Sequence, residues 1–111
     1  MTLSAPKALG GSGAGTNPEQ LFAAGYAACF QSALGTVGRK QGVDVSASTV
    51  EAVVGLGRAG IVFGLTVDLT ATIPGVDAET AQELVEAAHH VCPYSNATRG
   101  NVPVTVTGLA G

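Results

Sequence analysis

From residue 17 the chain carries a helical pattern with almost no polar face. Asn17-Pro18-Glu19-Gln20 supplies the start: Asn at the N-cap, Pro at the first helical position, an acid in the first turn, and Gln where a capping box places its third residue. Leu21, Phe22, Gly25, Tyr26, Cys29, Phe30, Ala33, Leu34 and Val37 then recur at three- and four-residue spacing, while Ala23, Ala24, Ala27 and Ala28 fill the positions between them. The pattern stops at Gly38-Arg39-Lys40-Gln41-Gly42, where cations suit a helix C-terminus. A helix apolar nearly all round is expected to sit centrally, covered on most sides. Charged residues make up only 12% of the chain against about 25% in an ordinary soluble domain, so a buried interface between subunits is expected as well.

The remaining segments give that helix something to pack against. Residues 43–56 alternate and are rich in β-branched side chains, residues 60–73 alternate more cleanly, and Gly57-Arg58-Ala59-Gly60 reads as the turn of a hairpin between them. Pro74-Gly75 stops the second strand, and Asp77 caps a second helix whose buried stripe is Ala81, Leu84, Val85, Ala88 and Val91. Pro93 ends that helix, and Val102, Val104 and Val106 mark a last strand over residues 102–109. The expectation is one α+β domain, residues 1–111, with two central helices packed on an antiparallel sheet and no internal repeat.

Several function classes are excluded. The net charge is −3, and Lys7, Arg39, Lys40, Arg58 and Arg99 are scattered, so there is no nucleic-acid footprint. No apolar run approaches the roughly 18 residues needed to span a bilayer, which argues against a membrane partner. Gly10-Gly11-Ser12-Gly13-Ala14-Gly15 lacks the Gly-Lys-Ser/Thr ending of a phosphate loop, so no nucleotide cofactor is expected. Asn96-Ala97-Thr98 spells a glycosylation acceptor, but Met1–Lys7 lacks the pattern of a secretory signal, and a cytoplasmic location is expected.

Chemistry concentrates on two cysteines, Cys29 and Cys92, 63 positions apart. Two thiols without clustered ligands cannot fill a zinc shell, and His89 and His90 point about 100° apart on a helix, so no metal is expected. The pair is either a long-range dithiol or two inert buried thiols, and in a reducing compartment a paired dithiol is more often catalytic or redox-sensing. Burial of Cys29 in an apolar helix raises its pKa, so a reactive thiolate there needs a cation. Glu19, a candidate to orient such a cation, stands about 15 Å from Cys29 along an ideal helix and some 80° round it. Either a long arginine bridges the two or the relevant glutamate comes from a second subunit.

Gly15-Thr16-Asn17-Pro18-Glu19-Gln20-Leu21-Phe22-Ala23-Ala24-Gly25-Tyr26-Ala27-Ala28-Cys29-Phe30, together with Val91-Cys92-Pro93-Tyr94-Ser95-Asn96-Ala97-Thr98-Arg99-Gly100-Asn101, closely resembles the organic hydroperoxide resistance proteins of the OsmC-like superfamily. The resemblance implies an intertwined homodimer and a thiol peroxidase that reduces alkyl or fatty-acid hydroperoxides. By this resemblance Cys29 is the attacking thiol, Cys92 closes a disulfide with it, and a dithiol such as a lipoylated protein restores both. Glu19 matches the family's catalytic glutamate, and Phe22, Tyr26 and Phe30 are the substrate-binding walls that it suggests. The chain departs from the family in having no counterpart of its N-terminal strands or of the arginine they carry. That departure leaves an alternative, a non-catalytic dimer acting as a scaffold or redox sensor.

Overall fold

The computed structural model describes residues 1–111, with the side chain of Ala59 excepted. The first long helix, α1, runs Pro18–Gln41, and the Asn17 side chain accepts a hydrogen bond from the Gln20 N–H at 2.9 Å. Gln20 does not return a bond to Asn17 as a full capping box would; its Oε1 accepts from the Thr16 hydroxyl instead. Ahead of α1 the glycine-rich stretch folds back on residues 2–6. There the Gly11 and Gly13 amides donate to Pro6 and Ala5 carbonyls and the Gly15 amide to Ser4 Oγ.

Strand β1 (Thr49–Ala59) and strand β2 (Val62–Ile73) form an antiparallel hairpin. Ala59 pairs with Val62, so the turn is the two residues Gly60-Ile61, with Gly60 at φ 69°. The hairpin is therefore longer at its tip than the expected turn at 57–60, and shorter at its base. Residues 43–48 form a loop rather than the start of a strand. Asp44 Oδ1 accepts from the Ser46 N–H and the Val45 carbonyl from the Ser48 N–H, turns that outcompete an extended backbone. Val43 and Val45 still pack on the core, which is why their alternation imitated a strand.

Helix α2 (Ala78–Val91) follows, capped by Asp77, whose Oδ1 accepts the Thr80 N–H at 2.7 Å. A short helix, α3 (Pro93–Thr98), comes next, and then strand β3 (Val104–Ala110). The sheet order is β1-β2-β3, and β3 runs parallel to β2, with Val67 opposite Val104 and Ile73 opposite Ala110. The expected antiparallel sheet is thus a mixed one. Alternation identifies a strand but not its direction, and here α2 and α3 carry the chain back to the end of the sheet where β2 begins, as a parallel crossover requires.

Both long helices lie on one face of the sheet, α1 over β1 and α2 over β3, side by side. Between them and the sheet lie Tyr26, Phe30 and Leu34 from α1, Val67, Leu69, Ala71 and Ile73 from β2, and Leu84, Val85 and Ala88 from α2. In the single chain α1 is buried along this one stripe, while Leu21, Ala24 and Ala28 remain exposed; the cover expected on most sides is not supplied by the chain's own elements.

The contact of α2 with β3 is backbone-close. A Cβ at Gly108 would stand 2.3 Å from the Ala81 carbonyl oxygen, and the Gln82 side chain bonds both the Gly108 N–H (2.8 Å) and the Val106 carbonyl (3.1 Å). Gly108→Ala therefore has to push helix and strand apart. We expect it to lower stability by about 1–3 kcal/mol. In urea unfolding the midpoint falls and the slope stays unchanged.

Candidate active site

Cys29 lies mid-way along α1, and Cys92 is the single residue between α2 and α3. Cys92 is extended, at φ −67° and ψ 124°; its N–H donates to the Ala88 carbonyl and its carbonyl accepts from the Asn96 N–H. Pro93 follows at the first position of α3, where a missing N–H costs nothing, so it opens a helix as well as closing one. The packing of α1 against α2 and α3 brings the two sulfurs to 3.5 Å. A disulfide needs about 2.05 Å, so the gap is one that side-chain rotation can close.

The two thiols are not equivalent. Cys92 is fully buried, whereas Cys29 is half-buried and opens into a concavity of about 320 Å³. Ser32, Ala33, Thr36, Val91 and Pro93 line the rest of it. Burial pushes the Cys29 thiol above its ordinary pKa; the Tyr94 backbone N–H opposes this, and the neighbouring Cys92 thiol adds to it. No cation is among the groups that set it. The thiol is accessible from one side but weakly ionised at neutral pH.

The remaining candidates fall in different places. Glu19 is half-buried in the first turn of α1, and α1 runs unbroken from there through Cys29, so this chain keeps them about 15 Å apart. Phe22 is half-buried and stacks on Tyr94, with ring centroids 6.2 Å apart. Tyr26 packs edge-on against both of these rings, at 5.8 and 5.6 Å. Tyr26 and Phe30 are fully buried in the core and do not line the concavity at Cys29. Gly25 admits the Tyr94 ring, since a Cβ there would sit 3.3 Å from its hydroxyl. Arg99 donates to the His89 carbonyl at 2.9 Å and braces the end of α2 rather than approaching Cys29.

Sequence reasoning missed a buried polar cluster beside the thiols. Ser95 Oγ lies 2.8 Å from the Tyr26 hydroxyl and 2.7 Å from His89 Nδ1, and Thr98 Oγ1 lies 3.3 Å from the same Tyr26 hydroxyl. Burial first, and then the charges of Arg99 and His90, hold His89 below the ordinary imidazole pKa. The available signal was Pro93 read as a helix start, which puts Ser95 and Thr98 on one face of the following turns.

The raised Cys29 pKa has a direct readout. In Cys92→Ser, where burial still dominates, alkylation of Cys29 by iodoacetamide is expected to keep accelerating as pH rises past the free-thiol value of about 8.5. A rate that levels off near neutral pH would show a thiolate stabilised by something other than these groups.

Residues 10–107 match the model of the family described as OsmC-like protein. An organic hydroperoxide resistance protein of Xanthomonas axonopodis pv. citri (strain 306) is 50% identical over 107 residues, covering 95% of this chain and 75% of the relative. The organic hydroperoxide resistance protein OhrB of Bacillus subtilis (strain 168) is 52% identical over 94 residues, 81% of this chain and 67% of the relative. The crystal structure of an organic hydroperoxide resistance protein from Elizabethkingia anophelis superposes with a TM-score of 0.91 at 52% identity, over 96% of this chain and 78% of that one. With identity at this level across most of its length and a shared arrangement of helices and sheet, the chain belongs to the OsmC-like family, among the organic hydroperoxide resistance proteins.

Proposed function

We propose that the protein is a cysteine-based peroxidase that reduces organic hydroperoxides to alcohols through Cys29 and Cys92. The observation that carries this reading is the contact of an accessible thiol with a buried one at 3.5 Å. The Cys29 thiolate attacks the terminal peroxide oxygen; the O–O bond breaks, the alkoxide takes a proton and leaves as the alcohol, and Cys29 becomes a sulfenic acid. Cys92 then attacks the Cys29 sulfur, the S–O bond breaks, and a disulfide and water result. A dithiol, such as a lipoyl group on a partner protein, returns the pair to two thiols and is itself oxidised.

The concavity at Cys29 mixes apolar Ala33, Val91 and Pro93 with the hydroxyls of Ser32 and Thr36, which suits an alkyl peroxide better than a charged one. Phe22 is half-buried beside Tyr26 and outside the lining of the concavity, so in this scheme it would meet only an alkyl chain that extends beyond it, while Tyr26 and Phe30 stay in the core. Glu19, about 15 Å from Cys29 along α1, fits this scheme through a long arginine from outside α1 that bridges the two, or by acting at the thiol of a second subunit.

The same reading makes the protein an intertwined homodimer working in the reducing cytosol. Val53, Leu56, Ile61, Val62 and Phe63 leave large apolar surface on the hairpin, and the radius of gyration of 15.4 Å exceeds the about 13 Å of a self-contained domain of this length. A slow redox sensor is the second reading, favoured by the absence of a cation among the groups that set Cys29.

Reduced protein treated with excess cumene hydroperoxide is expected to lose both thiols per chain. Cys92→Ser should stop at a sulfenic acid captured by dimedone, and Cys29→Ser should consume no peroxide. Survival of both wild-type thiols would overturn the reading, and rapid turnover with dihydrolipoamide would exclude the sensor.

A further inference from the structure

α3 has only six residues, no side-chain cap, and a buried face made of two hydroxyl residues, Ser95 and Thr98. A helix this short has no stability of its own; on one side it is docked by the Tyr94 ring against Phe22 and Tyr26. Its buried face is docked by polar contacts: Ser95 Oγ bonds the Tyr26 hydroxyl on α1 at 2.8 Å and His89 Nδ1 on the last turn of α2 at 2.7 Å. One serine hydroxyl donates once and accepts twice, so it can hold both partners together.

The spacing ties this dock to the thiols. Tyr26 precedes Cys29 by three residues on α1, and Cys92 precedes Ser95 by three residues at the α2–α3 junction. The two segments therefore meet at two points, oxygen to oxygen and sulfur to sulfur, at 2.8 and 3.5 Å. Cys92 itself has no other side-chain contact of this kind to fix its approach; its backbone is held at Ala88 and Asn96.

We propose that Ser95, clamped by Tyr26 and His89, is a positioning residue that sets the Cys92 thiol against Cys29 and so raises the tendency of the pair to close. The clamp deepens the two-thiol reading above, because it concerns the second step alone. None of its three residues lines the concavity at Cys29, and its worth is measurable without a peroxide.

The test is the effective concentration of the Cys29–Cys92 pair in a glutathione buffer, where oxidised glutathione accepts the two electrons and leaves as two thiols. Ser95→Ala and Tyr26→Phe should each lower it about tenfold or more, the size expected for one buried hydrogen bond lost at the contact. His89→Leu should lower it too, and His89→Asn, which keeps a polar atom near the Nδ1 position, should restore most of it. Gly108→Ala, which strains the fold at the α2–β3 contact, controls for stability and should leave the value unchanged while lowering the urea midpoint.

Unchanged closure in folded Tyr26→Phe and His89→Leu would overturn the proposal. So would an equal loss in Gly108→Ala, which would reduce the clamp to general stability. If wild-type thiols resist hydroperoxide yet the clamp variants still lose effective concentration, the peroxidase reading fails and the positioning role stands.

Discussion

The two-thiol contact depends on α1 and α2 lying side by side on one face of the sheet. Neither helix has a reason to adopt that place alone. It is the alternation of β2, with Val67, Leu69, Ala71 and Ile73 all turned to one face, that gives them a common apolar floor. Tyr26, Phe30 and Leu34 then interlock with Leu84, Val85 and Ala88 across that floor. Residues 63 positions apart meet because two separate helix-to-sheet contacts fix the same spacing. Close-packed interiors do not deform continuously, so a thiol carried on this interface inherits its rigidity.

That packing also sets a conflict at Cys29. The apolar surroundings that order α1 remove water from the thiol and disfavour its ionised form. Among the described residues only the Tyr94 N–H works against this, and a single amide does not offset burial. Stability and reactivity therefore pull the same residue in opposite directions. The half-open concavity is the compromise: it leaves Cys29 reachable while Cys92 stays sealed.

Signals that act within a few residues were legible in the sequence. The cap at Asn17 with Pro18 placed the start of α1, Asp77 placed that of α2, and both helices end within a residue or so of expectation. The valines at 43 and 45 misled because a loop can bury alternate side chains as a strand does. The direction of β3 was invisible, since it is decided by the path of the intervening helices and not by the strand's own residues. For the site, the residues themselves named the two cysteines and left their pairing open, the family resemblance alone implied that they meet, and α3 was missed because Pro93 was read only as a stop. Ser95 and His89 join Tyr26 only through the tertiary fold.

The junction at Cys92 can also be weighed energetically. A thiol at a helix end beside proline suggests closure by local unwinding, which is cheap at such a site. Here unwinding would break the Cys92 N–H bond to Ala88, the Asn96 N–H bond to Cys92, and the Ser95 contacts. Each costs about 1 kcal/mol or more when its partners stay buried. Rotation about the side chain has to cover only the difference between 3.5 Å and a bonded pair, with the backbone left in place. For the proposed closure rotation is the lower path, and the junction would serve it by holding still rather than by opening.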